Sequence, residues 1–278
     1  MKCARCPAEV QESSLLCTSC GMFAGFSNVR VAERSEETSA LEDRYRQALE
    51  DAKERNALER VKEFEAAIQD QSQVVIAMDL GVLFNLATGS IPLFSNYQSM
   101  VRAGLRRPAL LPNDQRRMAV DGKLWGSFGS EIRYGALSLD RRGLSSYGEF
   151  FATLRNLNIE DRATVLSTNS FDFVESTSGE LPLGHRSSWA RRHLVAVAKC
   201  AHLIDEFCET KTFPAILMTS GATRAKDEFI EVHIYGPFDF QAIESIRNHP
   251  IRGERDILLA QIIRDYAVRA GIIWQQLS

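Results

Sequence analysis

The sequence begins MKCARCPAEVQESSLLCTSCG, in which Cys3-x2-Cys6 and Cys17-x2-Cys20 stand ten residues apart. Few features constrain a fold so tightly. Each CxxC closes a tight knuckle that aims two thiolates at one point. The stretch between them must turn back as a hairpin to bring the knuckles together, which is the arrangement tetrahedral zinc requires. Gly21 follows the second knuckle, where a turn needs it. The interval is short for such a module and suits a minimal zinc ribbon over residues 1–25. Four protein ligands, Cys3, Cys6, Cys17 and Cys20, leave no open coordination position, so the expected zinc is structural and not catalytic. A redox role fits less well, because no βαβ pattern surrounds either pair. Cys200 and Cys208, eight residues apart in a helical stretch, read as plain buried thiols.

The first twenty residues hold four cysteines and no apolar core of a secretory signal. The longest apolar run, VVIAMDLGVLFNLA from Val74, is too short to span a bilayer and contains Asp79. A cytoplasmic protein with no membrane partner is the expectation. The net charge of −3 advertises no overall affinity for nucleic acid, so any such binding must use a local patch.

Residues 35–72 read as a long charged helix. No glycine or proline occurs from Ser35 to Gln71. SEET opens the run like a capping box with Ser35 as N-cap and Thr38 at the box position, where Glu is usual. Leu41, Tyr45, Ala48 and Ala52 keep a helical spacing, and Leu58, Val61 and Ile68 resume it after a phase slip near Arg55. The pattern predicts one helix with a local change of face. It serves either as a docking arm or as a helix packed along the following domain.

That domain, residues 74–278, mixes both periodicities without βαβ order, which predicts an α+β fold. Val74 to Leu86 reads as a buried helix and FPAILM from Phe213 as a buried strand. EIRYGALSLD from Glu131, ATVLSTNSF from Ala163 and EFIEVHIYG from Glu228 read as strands. SSWARRHLVAVAKCAHLIDEF, Ser187 to Phe207, reads as one helix with an apolar stripe. Arg102, Arg106, Arg107, Arg116, Arg117 and Lys123 cluster before the first of these strands, either as a solvated face or as a basic patch for phosphates. No GxGxxG, P-loop, GxSxG or HExxH motif is present, which removes the common nucleotide-binding and hydrolase templates.

DEFIEVHIYGP, Asp227 to Pro237, is the most telling stretch of this domain. As a strand it turns Ile230, Val232 and Ile234 to one face and Glu231, His233 and Tyr235 to the other. The polar face meets either water or a substrate cleft.

RYGALSL, a Tyr-Gly before the next strand-like stretch, RATVLSTNSF and the late FIEVHIYG together resemble the ADP-ribosyltransferase-fold toxins of bacteria. The resemblance covers about Trp125 to Ile246. It implies a split β-sandwich with helices that holds NAD in a cleft, with Glu231 as the catalytic carboxylate against the nicotinamide ribose. It also implies NAD contacts from Arg133, Tyr134, Arg162, Ser167, Thr168 and His233, with Arg133 or Arg162 bracing phosphate and Ser167-Thr168 as the Ser-Thr pair. Ser176-Thr177-Ser178 is an alternative to that pair. Members that modify arginine carry Glu-x-Glu, whereas position 229 here is Phe.

Two functions follow. One is an NAD-dependent transfer of ADP-ribose to a macromolecule, RNA before DNA, recruited by the ribbon and the arginine cluster. Such a toxin would sit in a toxin–antitoxin or phage-defence system with a neutralising antitoxin protein. The other is a non-enzymatic zinc-ribbon adaptor that binds nucleic acid or a protein partner.

Overall fold

A computed structural model describes residues 3, 5–102, 104, 111–177 and 179–277. Arg106, Arg107 and Ser178, named above, lie outside the described residues. The chain is α+β. Its strands are β1 Gln73–Met78, β2 Ile132–Ser138, β3 Phe150–Leu154, β4 Ala163–Leu166, β5 Arg186–Ser188, β6 Glu231–Tyr235, β7 Ile243–Asn248 and β8 Ile273–Gln276. The helices are α1 Ser27–Ala32, α2 Ser35–Glu54, α3 Leu58–Gln71, α4 Leu80–Ala87, α5 Tyr97–Arg102, α6 Leu111–Trp125, α7 Ser170–Glu175, α8 Arg192–Cys200, α9 Phe213–Leu217 and α10 Glu254–Arg269. No helix among the described residues is long and apolar enough to cross a membrane.

Three elements differ from expectation. The run from Val74 is strand β1 followed by helix α4, with the extended Asp79 between them. β1 is covered on both faces, and periodicity alone does not separate such a strand from a buried helix. The β-branched Val74, Val75 and Ile76 favour the strand. FPAILM forms the short helix α9, with Pro214 in its first turn, where a missing N–H costs nothing. The Ser187 to Phe207 stretch gives strand β5 at its start, then a 3-10 turn at Trp189–Arg191 and only nine residues of helix, α8.

The predicted single helix is two. It breaks at Asn56, whose φ of 59° lies in the left-handed region that Asn tolerates better than most residues. Arg55 at the break donates to the carbonyls of Ile204 (2.7 Å) and Ala201 (2.8 Å), tying the corner to the end of α8. Ser35 is not the cap: α2 starts after Arg34 without a side-chain cap. Leu41, Ala52, Val61, Phe64 and Ile68 are buried in one core with β1, β6 and α8. Glu37, also buried, accepts from the Gly184 N–H at 2.9 Å and faces Arg186 of β5 at 2.5 Å. These two helices are thus packed along the domain.

The eight strands form one sheet in the order β5-β4-β6-β2-β1-β3-β7-β8, antiparallel except for the β7–β8 pair. The resemblance implies a split sandwich of two sheets, but here one ladder runs through all eight strands. The reason lies in β1. It pairs with β2 only from Gln73 to Val75 and with β3 only from Val75 to Met78. The two halves share one strand and part along it. Past Val75, β2 runs on beside β6 while β1 runs on beside β3, and a cleft opens at the seam. On one side of β6, Ile230, Val232 and Ile234 enter the main core. On the other, α6, α7 and α1 bring Val120, Leu124, Trp125, Phe173 and Val31 over Leu166 and Tyr235.

Candidate functional site

The cleft at the seam is a small open pocket of about 90 Å³, walled by Ala77 of β1, Tyr134 and Ala136 of β2, Glu231 of β6, Arg117 of α6 and Tyr147. Register explains the grouping. Glu231 pairs with Ala136 and His233 with Tyr134, so these side chains share one face of the sheet. The polar row read from the sequence does not meet open water: Glu231 is 5% exposed and His233 1%.

A carboxylate so buried needs partners. Glu231 Oε2 accepts from the backbone N–H of Ser170 at 2.9 Å and lies 3.0 Å from His233 Nε2. The first contact depends on Asn169. Its side chain caps α7 by accepting from the Phe171 N–H at 2.8 Å, and its amide donates to the Tyr147 hydroxyl at 3.1 Å. One residue thereby fixes both the N–H that holds Glu231 and a phenol on the pocket wall. The rings of Trp125 and Tyr134 pack edge-on against His233, with centroids at 4.8 Å and 5.2 Å. The Tyr134 hydroxyl donates to Asp121 Oδ1 at 2.6 Å. Burial, reinforced by the Asp121 charge, pushes the Tyr134 phenol well above its ordinary range. Burial and then the Glu231 charge push Tyr147 up to about 12. Both phenols therefore stay protonated; Tyr134 commits its proton to Asp121, and Tyr147, whose oxygen accepts from Asn169, keeps its own for a ligand. Burial also raises Asp121, against the pull of Arg117. The Arg117 guanidinium lies over the rings of Tyr134 and Phe171, at 4.3 Å and 4.7 Å, and reaches Ser170 Oγ at 3.4 Å.

Of the expected residues the pocket is lined by Glu231 and Tyr134; His233 sits buried behind the wall, holding Glu231, and the others lie elsewhere. Arg133 alternates to the opposite face of β2 from Tyr134. It donates to Ser130 O (3.3 Å) and Ser95 Oγ (3.2 Å). Arg162 donates to the carbonyls of Asn158 (2.8 Å), Tyr235 (2.7 Å) and Pro237 (2.9 Å), holding the end of β6. Neither lines the pocket, so neither is placed to brace a phosphate there. Ser167 bonds His185 Nδ1 at 2.9 Å, outside the pocket, and Thr168 does not line it. Ser176 and Thr177 turn back to the Phe173 carbonyl at 3.4 Å and 2.8 Å. The serine against Glu231 is instead Ser170. An Asn-Ser pair directly after a strand is a helix-start signal, and reading it would have moved attention three residues along. Asp121 carried no local signal, and Arg117 stood out in the sequence only as one of the arginine cluster, because α6 reaches the pocket only through tertiary packing. Among the described members of the arginine cluster, Arg116 pairs with Glu175 and Lys123 bonds the Thr177 carbonyl at 3.2 Å.

The four N-terminal cysteines converge as their spacing predicts, with all four sulfurs within 4.8 Å of one another. Cys3 and Cys20 Sγ lie 3.8 Å apart and Cys6 and Cys17 Sγ 3.6 Å apart. A tetrahedron with metal–sulfur bonds of about 2.3 Å has edges of about 3.8 Å, so the set fits zinc without rearrangement. The backbone N–H groups of Cys20 and Ser19 hold the Cys17 thiol down to about 6. At Cys20 the Met22 N–H pulls the same way, but burial and the crowding sulfurs outweigh it and push the thiol up to about 11. Leu16 and Phe23 pair across the turn between knuckle and chain, and Gly21 takes the positive φ of 69° that this turn needs.

The ribbon is tied to the pocket's own strand. Phe26 packs on Tyr235 at 5.5 Å between ring centroids. Asn28 of α1, fully buried, donates to the carbonyls of Arg162 (3.0 Å) and His233 (3.1 Å). No protein-family model and no curated protein matches this sequence. The pocket's own chemistry is therefore the guide to function.

Proposed function

We propose that the chain transfers the ADP-ribose of NAD to a macromolecular acceptor, with Glu231 as the catalytic carboxylate. The observation that carries this reading is a nearly buried carboxylate, clamped by the Ser170 N–H and His233, on the wall of a cleft at a parting of the sheet. Breaking the bond between nicotinamide and ribose C1′ sends the electron pair out with neutral nicotinamide and leaves oxocarbenium charge on the ribose. A fixed carboxylate beside that carbon gains more from the transition state than from the ground state. The acceptor's nucleophile then bonds C1′ and gives up its proton. Tyr147 offers a phenol donor to the bound nucleotide, while Tyr134 is committed to Asp121 and Arg117. The parting along β1 also supports the split-sandwich likeness, although the ladder is continuous.

The acceptor in this reading is nucleic acid, RNA before DNA, on the strength of the ribbon. An unrestrained activity of this kind is toxic, which calls for a neutralising protein. The test is transfer of label from NAD by the intact protein in cell extract, with and without nuclease. Glu231→Gln keeps the shape and removes the charge, so turnover should fall by at least about a hundredfold while NAD still protects against thermal unfolding. Near wild-type turnover in that variant, or no NAD binding by the wild type, refutes the assignment. Label that enters only protein, unchanged by nuclease, refutes the acceptor alone.

A further inference from the structure

Arg117 is the charged group of the pocket that the reaction at Glu231 leaves without a role. Its guanidinium carbon lies over two rings, 4.3 Å from the centroid of Tyr134 and 4.7 Å from that of Phe171. A guanidinium carries five N–H donors in its plane. Among the described residues, the long 3.4 Å contact to Ser170 Oγ is the only hydrogen bond Arg117 makes, and it forms no ion pair. Two ring contacts hold the guanidinium in place on the pocket lining, with most of its N–H donors uncommitted.

The neighbouring carboxylate makes this arrangement informative. Ser170 touches both charges, with its N–H on Glu231 and its Oγ beside Arg117. A carboxylate and a guanidinium thus line one pocket, separated by a single residue, without pairing. Left to themselves in a shielded site, opposite charges pair. Here each has its own holders: Ser170 N and His233 for the one, two rings for the other. Such a pocket complements a ligand that brings both signs, with a positive centre for Glu231 and an anionic group for Arg117.

We infer that Arg117 is the anion anchor of this pocket and that its ligand group is a diphosphate. A planar fork with several free N–H groups matches phosphate oxygens in pairs. This rests on the NAD reading above and deepens it. In NAD the cationic nicotinamide riboside is joined through its 5′ oxygen to a diphosphate, so one molecule supplies both charges in the required order. The bracing role that the resemblance places on Arg133 or Arg162 passes to a helix, and α6 becomes part of the substrate site.

The test uses the intact chain and three probes in titration calorimetry: inorganic pyrophosphate, ADP-ribose and nicotinamide riboside. Arg117→Gln should weaken pyrophosphate and ADP-ribose by at least about tenfold, the loss of one hydrogen bond to a charged group. Arg117→Lys, which keeps charge but loses the fork and the stacking plane, should fall between. Nicotinamide riboside, which lacks phosphate, should bind all three proteins alike. In turnover, Arg117→Gln should raise KM for NAD more than it lowers kcat, whereas Glu231→Gln should lower kcat and leave ADP-ribose binding intact. Arg117 sits half-exposed, so both variants should keep the wild-type melting profile; if Gln unfolds the chain, Lys alone decides. Pyrophosphate and ADP-ribose bound equally by wild type and variants, or by none of them, overturn the assignment. Arg117-dependent pyrophosphate binding without NAD or ADP-ribose binding upholds the anion anchor and refutes the ADP-ribosyl reading.

Discussion

Asn28 joins the ribbon's helix to the pocket's strand, and its removal has a calculable cost. The side chain is fully buried. Its Nδ2 donates to the Arg162 carbonyl at 3.0 Å and the His233 carbonyl at 3.1 Å, and lies 3.4 Å from Thr164 Oγ1. Asn28→Ala deletes the donor and leaves the acceptors. The Arg162 carbonyl keeps a partner, because it also accepts from the Tyr235 N–H at 2.9 Å. The His233 carbonyl likewise keeps its ladder partner Thr164, so each lost bond costs about 1 kcal/mol. The sum, about 2 kcal/mol, is a sizeable share of a stability of about 5–15 kcal/mol. Urea unfolding with linear extrapolation measures it, and a protein of this size should lose about 2–4 °C of Tm per kcal/mol. Asn28→Asp is the sharper probe. It keeps the shape but points a carboxylate at three oxygens, so it should destabilise more than Ala does. If Asn28 merely filled space, Asp would be the milder change. An Asp variant at least as stable as the Ala variant, or an Ala variant within about 0.5 kcal/mol of wild type, overturns the account.

Three further outcomes are expected. Glu37→Gln should cost about 3–5 kcal/mol by stranding Arg186, which is buried with it in an ionic contact not aligned as a hydrogen bond; a loss under about 1 kcal/mol in urea unfolding counts against that. Metal analysis should find one zinc per chain on Cys3, Cys6, Cys17 and Cys20, and zinc retained in Cys17→Ser would sink the site. Burial, then the charges of Arg44 and Arg186, lower His185 to about 4, so its ring should titrate there by NMR. Between its ordinary 6.5 and about 4 the unfolded chain binds the extra proton, so this group's share of stability is full above 6.5 and drains as pH falls through that window; a ring titrating near 6.5 contradicts it.

How far the fold was legible follows from which forces set each element. The cysteine cluster was readable because the meeting of its four sulfurs is written into local spacing. Strand β6 was readable because Ile230, Val232 and Ile234 alternate against a core on one side. The run from Val74 was not, since β1 is buried on both faces and a uniformly apolar stretch carries no period. The long helix failed at a single residue. Nothing near Asn56 forbids a continuous helix, and the break is held by Arg55 reaching carbonyls about 150 residues away in the chain.

The site divides the same way. Alternation placed Glu231 and His233 together, because facing is a local property of a strand. It could not say what covers them. That is decided by where the β1–β2 pairing stops, at Val75 and Ala136, and by a helix from residues 111–125 that closes over the gap. Both are long-range facts. Arg133 lies off the pocket lining for a related reason: in a strand, neighbours on the chain face opposite ways, so Arg133 turns from the face that carries Tyr134. An arginine serving Glu231 had to come from an even step along β2 or from another element. Position 134 is Tyr and position 136 is Ala, so the charge had to arrive from outside the sheet. Arg117 supplies it, and the Tyr134 ring on which it rests is the residue that the even step places there.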